Sequence, residues 1–116
     1  MVDTIAYKVL TADQLALLEH EGSFAGAPVD LADGYIHLST ADQLAATIDK
    51  HFAGQSDLRI AAIDLEALDE AVRWEESRGG ALFPHIYDTP LTLDVVLAYG
   101  PLEREEDGSI RLPVAG

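Results

Sequence analysis

Apolar and polar side chains alternate from Thr4 to Leu10, with Ile5, Tyr7 and Val9 on one face and Ala6, Lys8 and Leu10 on the other, which predicts a first strand. Thr11-Ala-Asp-Gln14 then has the form of a capping box. Leu15, Leu17 and Leu18, followed by Gly22, predict a helix running to about His20. Residues 22 to 34 hold three glycines, Pro28 and two aspartates, and read as a loop long enough to serve as a lid. Tyr35 to Ser39 is a short alternating strand. Thr40-Ala-Asp-Gln43 repeats the capping box and opens a second helix through about Phe52. The string TADQLA thus occurs twice, as one helix-start chemistry used twice, because nothing around it repeats.

Leu58 to Leu65 is a near-continuous apolar run of strand length, and Val72 to Glu75 resumes alternation after a polar turn. Phe83 to Tyr87 predicts a further strand interrupted by Pro84, and Asp94 to Tyr99 another. Residues 103 to 116 read as a charged turn and a frayed tail. Two early helices followed by several short strands do not alternate as a Rossmann-like chain does. The expected class is therefore α+β, a small mixed, largely antiparallel sheet.

At 116 residues the chain has the length of one domain, 1–116. It contains no cysteine, which removes disulfides, a thiolate nucleophile and the commonest structural-zinc ligands. Twenty-one acidic against seven basic side chains give a net charge of -14, which repels nucleic acid and anionic membranes. No stretch approaches the ~20 apolar residues of a transmembrane helix and no signal peptide is visible, so a cytoplasmic location is expected. Against that acidic background the cluster of Arg73, Arg78 and His85 stands out as a candidate anion site.

The period of two on the strand from Tyr35 to Ser39 sets Tyr35, His37 and Ser39 on the face opposite Ile36 and Leu38. Ser39 and Thr40 sit where the next helix begins, a place suited to an anionic ligand group. His37 equally suits a hydrogen-bonded structural histidine, and Ser39 or Thr40 a plain helix cap. Trp74, Glu75, Glu76 and Arg78 before Gly79-Gly80 offer an aromatic surface, two carboxylates and a guanidinium. Taken singly, the tryptophan and the glutamates read as core and solvated loop. His85 and Tyr87 share a strand face, and two histidines on separate strands suit acid–base work or ligand orientation. His20 and His51 read as solvent-facing, and no metal-binding spacing occurs.

The segments GYIHLSTADQL, from Gly34 to Leu44, and RWEESRGGALFPHIY, from Arg73 to Tyr87, resemble a bacterial domain-of-unknown-function family, number 952. The Tyr7-Lys8 strand and the DVVLAYGPL end fit it as well. That family is itself similar in fold to the ADP-ribosyltransferase-like superfamily, which implies a split sheet with two early helices. It also implies NAD as cofactor, with His37-Leu38-Ser39 matching the His-x-Ser/Thr motif that binds the nicotinamide and ribose end. The late-strand glutamate of the protein-modifying members has no counterpart. A branch that removes a 2′-phosphate from RNA is similar in using histidine and arginines, as in His37, Arg78 and His85, but the acidic charge disfavours RNA.

Three functions follow as expectations. The first is an NAD- or ADP-ribose-handling enzyme with His37 and His85 as catalytic residues and Tyr35, Ser39, Thr40, Trp74, Arg78 and Tyr87 as ligand-binding residues. The second is a non-catalytic module that binds a small anion or nucleotide through the same residues. The third is a protein-interaction domain with an exposed patch of Trp74, Phe83 and Tyr87 and no pocket.

Overall fold

The computed structural model describes residues 4–76 and 80–113. Strand β1, Ile5–Thr11, is followed by helix α1, Ala12–Glu21. The Thr11 capping box forms in full: Gln14 N donates to Thr11 Oγ1 at 3.1 Å, and Thr11 N donates to Gln14 Oε1 at 3.0 Å. Gly22 ends the helix in the left-handed region at φ 77°.

Residues 22 to 34, expected as a loop, contain strand β2, Ser23–Phe24, and helix α2, Pro28–Asp33. Pro28 occupies the first helical turn, where its missing N–H costs nothing, and Gly34 stops the helix at φ 89°. Six residues are too few to give a periodic apolar stripe, so glycine and proline dominated the sequence signal.

Next come β3, Ile36–His37, a 3-10 turn at 41–43 leading into α3, Leu44–His51, and β4, Leu58–Asp64. The chain continues with α4, Leu65–Leu68, β5, Val72–Glu76, β6, Leu82–Ile86, β7, Leu91–Thr92, and β8, Val96–Pro101. The strand expected at Asp94 to Tyr99 is displaced toward the C-terminus because residues 93–95 form a 3-10 turn. Strand β6 runs through Pro84 uninterrupted. Its ladder with β3 is two residues long and needs no donor from the proline, whose carbonyl still accepts from Leu38 N at 3.1 Å.

The class is α+β, and the sheets are antiparallel with no mixed pairing among the described strands. Their orders are β1-β4-β8, β3-β6-β5 and β2-β7. The two larger sheets meet where Tyr7 N donates to Ser39 O at 2.7 Å and Ser39 N donates to Tyr7 O at 2.9 Å. This junction brings the middle of β1 beside the end of β3.

Both faces of β1 are covered. Ala6 and Leu10 pack with Leu15, Leu18, Ile36, Leu38, Ile63 and Ile86 in one core; Tyr7 and Val9 pack with Leu44, Ile48 and Ile60 in a second, under α3. Lys8 therefore enters a fully apolar face between Ala6 and Leu10. Among the described residues no helix is long and apolar enough to cross a membrane.

Candidate functional site

Lys8 cannot be buried alone, because an unpaired ammonium in an apolar interior is too costly. Helix α2 supplies its partner. Asp30, in the first turn of α2, is 2% exposed, and its Oδ2 accepts from Lys8 Nζ at 2.9 Å and from Ala27 N at 2.7 Å. Its Oδ1 accepts from His37 N at 3.0 Å and from the His37 ring Nδ1 at 2.6 Å. Four donors saturate the carboxylate. Burial by itself raises the carboxyl pKa, but the His37 ring bond and the Lys8 charge outweigh it and hold Asp30 well below the usual carboxylate range. Burial pushes the Lys8 amine down from its ordinary value, with Asp30 opposing. Lys8 also donates to the His37 carbonyl at 3.0 Å, so one buried ion pair fixes both the backbone and the ring of His37.

The other His37 nitrogen, Nε2, is 3.0 Å from Oδ2 of Asp33, the last residue of α2. The His37 side chain is 32% exposed and Asp33 45%, so this outer contact faces solvent while the inner one does not.

His85 lies opposite His37 in the β3–β6 register, with ring centroids 5.2 Å apart. Its Nδ1 is 2.8 Å from Glu75 Oε1, which also accepts from the Tyr87 hydroxyl at 2.6 Å. That hydroxyl bond pushes the Tyr87 pKa up to about 12 and, with the His85 bond, holds Glu75 below its ordinary value. Tyr35 stacks on His85 at 4.2 Å and lies 4.7 Å from His37 and 5.1 Å from Tyr87.

The rings of Tyr35, His37 and His85 border a cleft of about 290 Å³ between β1, β3, β6, α2 and α3. Tyr35, His37, Ser39 and His85 line it, together with Lys8, Asp33, Thr47, Lys50, His51 and the aromatic Phe52 and Phe83. Ser39 is buried with its hydroxyl 2.9 Å from that of Thr47.

The other residues singled out in the sequence stand elsewhere. Thr40 is buried outside the cleft, its N–H donating to Gln43 Oε1 at 3.0 Å. Trp74 pairs with Pro84 and packs half-buried on the first core, because period two turns it away from the face that carries Arg73 and Glu75. Tyr87 is not among the lining residues and meets the cleft through Tyr35. Arg78 lies outside the described residues; Arg73, with its guanidinium 4.6 Å from the Tyr87 ring centroid, is held at that aromatic. Phe83 is 7% exposed, so the exposed patch of Trp74, Phe83 and Tyr87 expected of an interaction domain is not formed. His51, read as solvent-facing, is exposed but lines the cleft from the last turn of α3, beside Lys50. Among the described residues no group of histidine, aspartate and glutamate is disposed to hold a metal.

Lys8, Asp30 and Asp33 carry no sequence signal of a site. Lys8 on the apolar face of β1 signals that an acid must meet it, but not which acid.

The model of the family described as protein of unknown function (DUF952) matches residues 9–99, from β1 through β8. The crystal structure of protein CC0527 from Caulobacter crescentus is similar at 42% identity and TM-score 0.83, covering 94% of this chain and 95% of that one. A double mutant of the same Caulobacter crescentus protein gives 40% identity, TM-score 0.83 and the same coverage. The solution NMR structure of CC0527 from Caulobacter crescentus gives 42% identity and TM-score 0.77 over 92% of this chain and 91% of that one. No curated protein matches the chain. The family match takes in Asp30, His37, Glu75 and His85, and the chain belongs to the DUF952 family.

Proposed function

We propose that the cleft holds an anionic, ribose-bearing ligand of the NAD or ADP-ribose class and that His37 and His85 act on it, in an enzyme of ADP-ribosyltransferase-like type. The observation that carries this reading is charge segregation. In a chain of net charge -14, both lysines and three of the four histidines line one cleft, and Asp33 is the one carboxylate among its described lining residues. Lys50 and His51 also suit the C-terminal end of α3 on dipole grounds, while Lys8, His37 and His85 are each paired with a carboxylate, Asp30 or Glu75, that stands outside the lining.

The aromatic lining supports a ring-bearing ligand, and the resemblance of His37-Leu38-Ser39 to the His-x-Ser/Thr motif supports the ribose. At about 290 Å³ the cleft is at the small end of the roughly 300–1,000 Å³ usual for small-molecule sites, which favours one half of a dinucleotide seated and the rest running outward. With Nδ1 of His85 committed to Glu75, Nε2 is the nitrogen left for acid–base work in the cleft. Glu75 stands behind His85 and is not part of the lining, so modification of protein acceptors is no part of the proposal.

The test is a two-dimensional amide NMR titration with NAD, ADP-ribose and nicotinamide, paired with an assay for nicotinamide release from NAD. Saturable shifts clustered at residues 35–39, 47–52 and 83–87 support the site, and His37→Ala should weaken binding at least tenfold while the rest of the spectrum keeps its dispersion. Binding without turnover leaves a non-catalytic nucleotide module built from the same residues. An absence of shifts at millimolar ligand sinks the reading.

A further inference from the structure

We propose that Asp33 is an internal competitor for the ligand's acidic group: its carboxylate occupies, on His37 Nε2, the position that a phosphoryl or carboxylate oxygen of the ligand takes on binding. The inference rests on the cleft reading above and adds the subsite, its anchor and the residue that sets its selectivity.

The two carboxylates on His37 are not equivalent. Asp30 is buried and saturated by four donors, two from His37 itself, and its removal would leave Lys8 buried without a counter-charge. Asp33 has one described ion pair, to Nε2 at 3.0 Å and without a described hydrogen bond, and its side chain is 45% exposed. A half-exposed pair of this kind contributes little to stability and exchanges readily. Nothing in the architecture requires it, since the orientation of the ring is already fixed by the Asp30 bond to Nδ1 and by the backbone bonds of His37.

Placement argues the same way. Asp33 closes α2, and the next residue, Gly34, turns the chain at φ 89°, so the carboxylate sits at a joint between α2 and β3. It is the one acidic residue among the described lining of a cleft whose charged and titratable members are otherwise lysines, histidines and tyrosines, set among apolar and hydroxyl side chains. An incoming anion must therefore either displace Asp33 from Nε2 or bind beside a like charge. Displacement exchanges one anionic oxygen for another beside the same ring nitrogen, so the ion-pair position is filled before and after binding. Groups without a negative oxygen do not compensate the lost contact, which makes Asp33 a filter for acidic ligands.

The experiment titrates wild type, Asp33→Asn and Asp33→Ala with inorganic phosphate, acetate, ribose 5-phosphate and ADP-ribose, reading amide shifts and the ring Nε2 resonance of His37. Glu66→Gln, which removes the same charge from an exposed position on α4, serves as control. Both Asp33 variants should bind the phosphorylated probes about three- to tenfold more tightly than wild type, the lower part of that range being what an exposed ion pair of up to ~1 kcal/mol contributes. Tighter phosphate than acetate binding assigns the subsite to a phosphoryl group, and the reverse order assigns it to a carboxylate. Wild-type binding that Asp33→Asn leaves equal, weaker or improved no more than Glu66→Gln overturns the competitor role while the cleft stands. Absence of binding in wild type and in both variants overturns the cleft reading and this inference together.

Discussion

Asp30→Asn keeps the shape of the side chain and removes the charge on which Lys8 depends, and its cost follows from the geometry. Lys8 is 5% exposed, and without the carboxylate its remaining described acceptor is the His37 carbonyl. Breaking a buried ion pair from one side costs about 3–5 kcal/mol. An independent ceiling comes from the option of burying the amine neutral. Deprotonating a lysine of ordinary pKa about 10.4 at pH 7 costs about 4.6 kcal/mol, at 1.36 kcal/mol for each unit. The two figures agree, and ~4 kcal/mol is a large part of the 5–15 kcal/mol that holds a domain together. With a urea slope of about 1.5–2 kcal/mol/M the midpoint should fall by roughly 2 M.

The pH dependence separates this cause from a general packing defect. In the variant the folded-state Lys8 pKa is depressed, so the unfolded chain binds more protons and stability rises with pH up to about 10. The deficit relative to wild type should therefore narrow on the alkaline side, its ceiling dropping to about 1.9 kcal/mol at pH 9. It should narrow on the acid side too. The Asp30 pKa is depressed in the folded protein, so its contribution is present above about pH 4 and is lost as pH falls through its folded value. Adding Lys8→Met to Asp30→Asn should recover most of the loss, because a neutral chain fills the same apolar path. A deficit below ~1 kcal/mol, one that is constant from pH 6 to 9, or a double variant no better than the single would refute the reasoning.

Glu75→Gln should release Tyr87. The phenol bond to Glu75 Oε1, the main cause of the rise to about 12, then loses its charge, and a phenolate absorbance titration should show that transition moving toward the ordinary value near 10. The sign is that of a raised pKa: the stabilising contribution is intact below about pH 10 and lost as pH climbs through about 12, so unchanged titration would place the cause elsewhere. Gly26→Ala should destabilise by about 1–3 kcal/mol, since Gly26 has φ 135° and an added Cβ would lie 2.8 Å from Asp30 Cβ. A thermal melt equal to wild type would show that the 25–27 turn gives way without moving Asp30.

How much of this was legible depended on the length of the signal. β1, α1, α3 and β4 each carry seven or more residues marked by alternation, a capping box or a near-continuous apolar run, and their outlines follow from the sequence. The segment from 22 to 34 does not, since two residues of strand and six of helix leave no period to read while three glycines and a proline announce a loop. That segment also delivers Asp30 and Asp33, so the acid side of the site was hidden with it.

The basic side followed a different rule. Alternation alone brings Tyr35, His37 and Ser39 to one face, and the cleft shows all three together because local period and tertiary placement agree on β3. Applied to Trp74, the same rule needs the register of β5 against β6 to say which face is the core, and that register is a long-range fact. Arg73, Glu75, His85 and Tyr87 share the face opposite Trp74, so a reading that groups residues by nearness in sequence joins the tryptophan to a site its own strand turns it away from. Lys8 is the instructive residue. Its place between Ala6 and Leu10 on an inward face made a buried ion pair obligatory, yet 21 acidic residues offered partners, and only the fold of α2 against β1 selects Asp30, which in turn fixes the ring of His37 in the cleft.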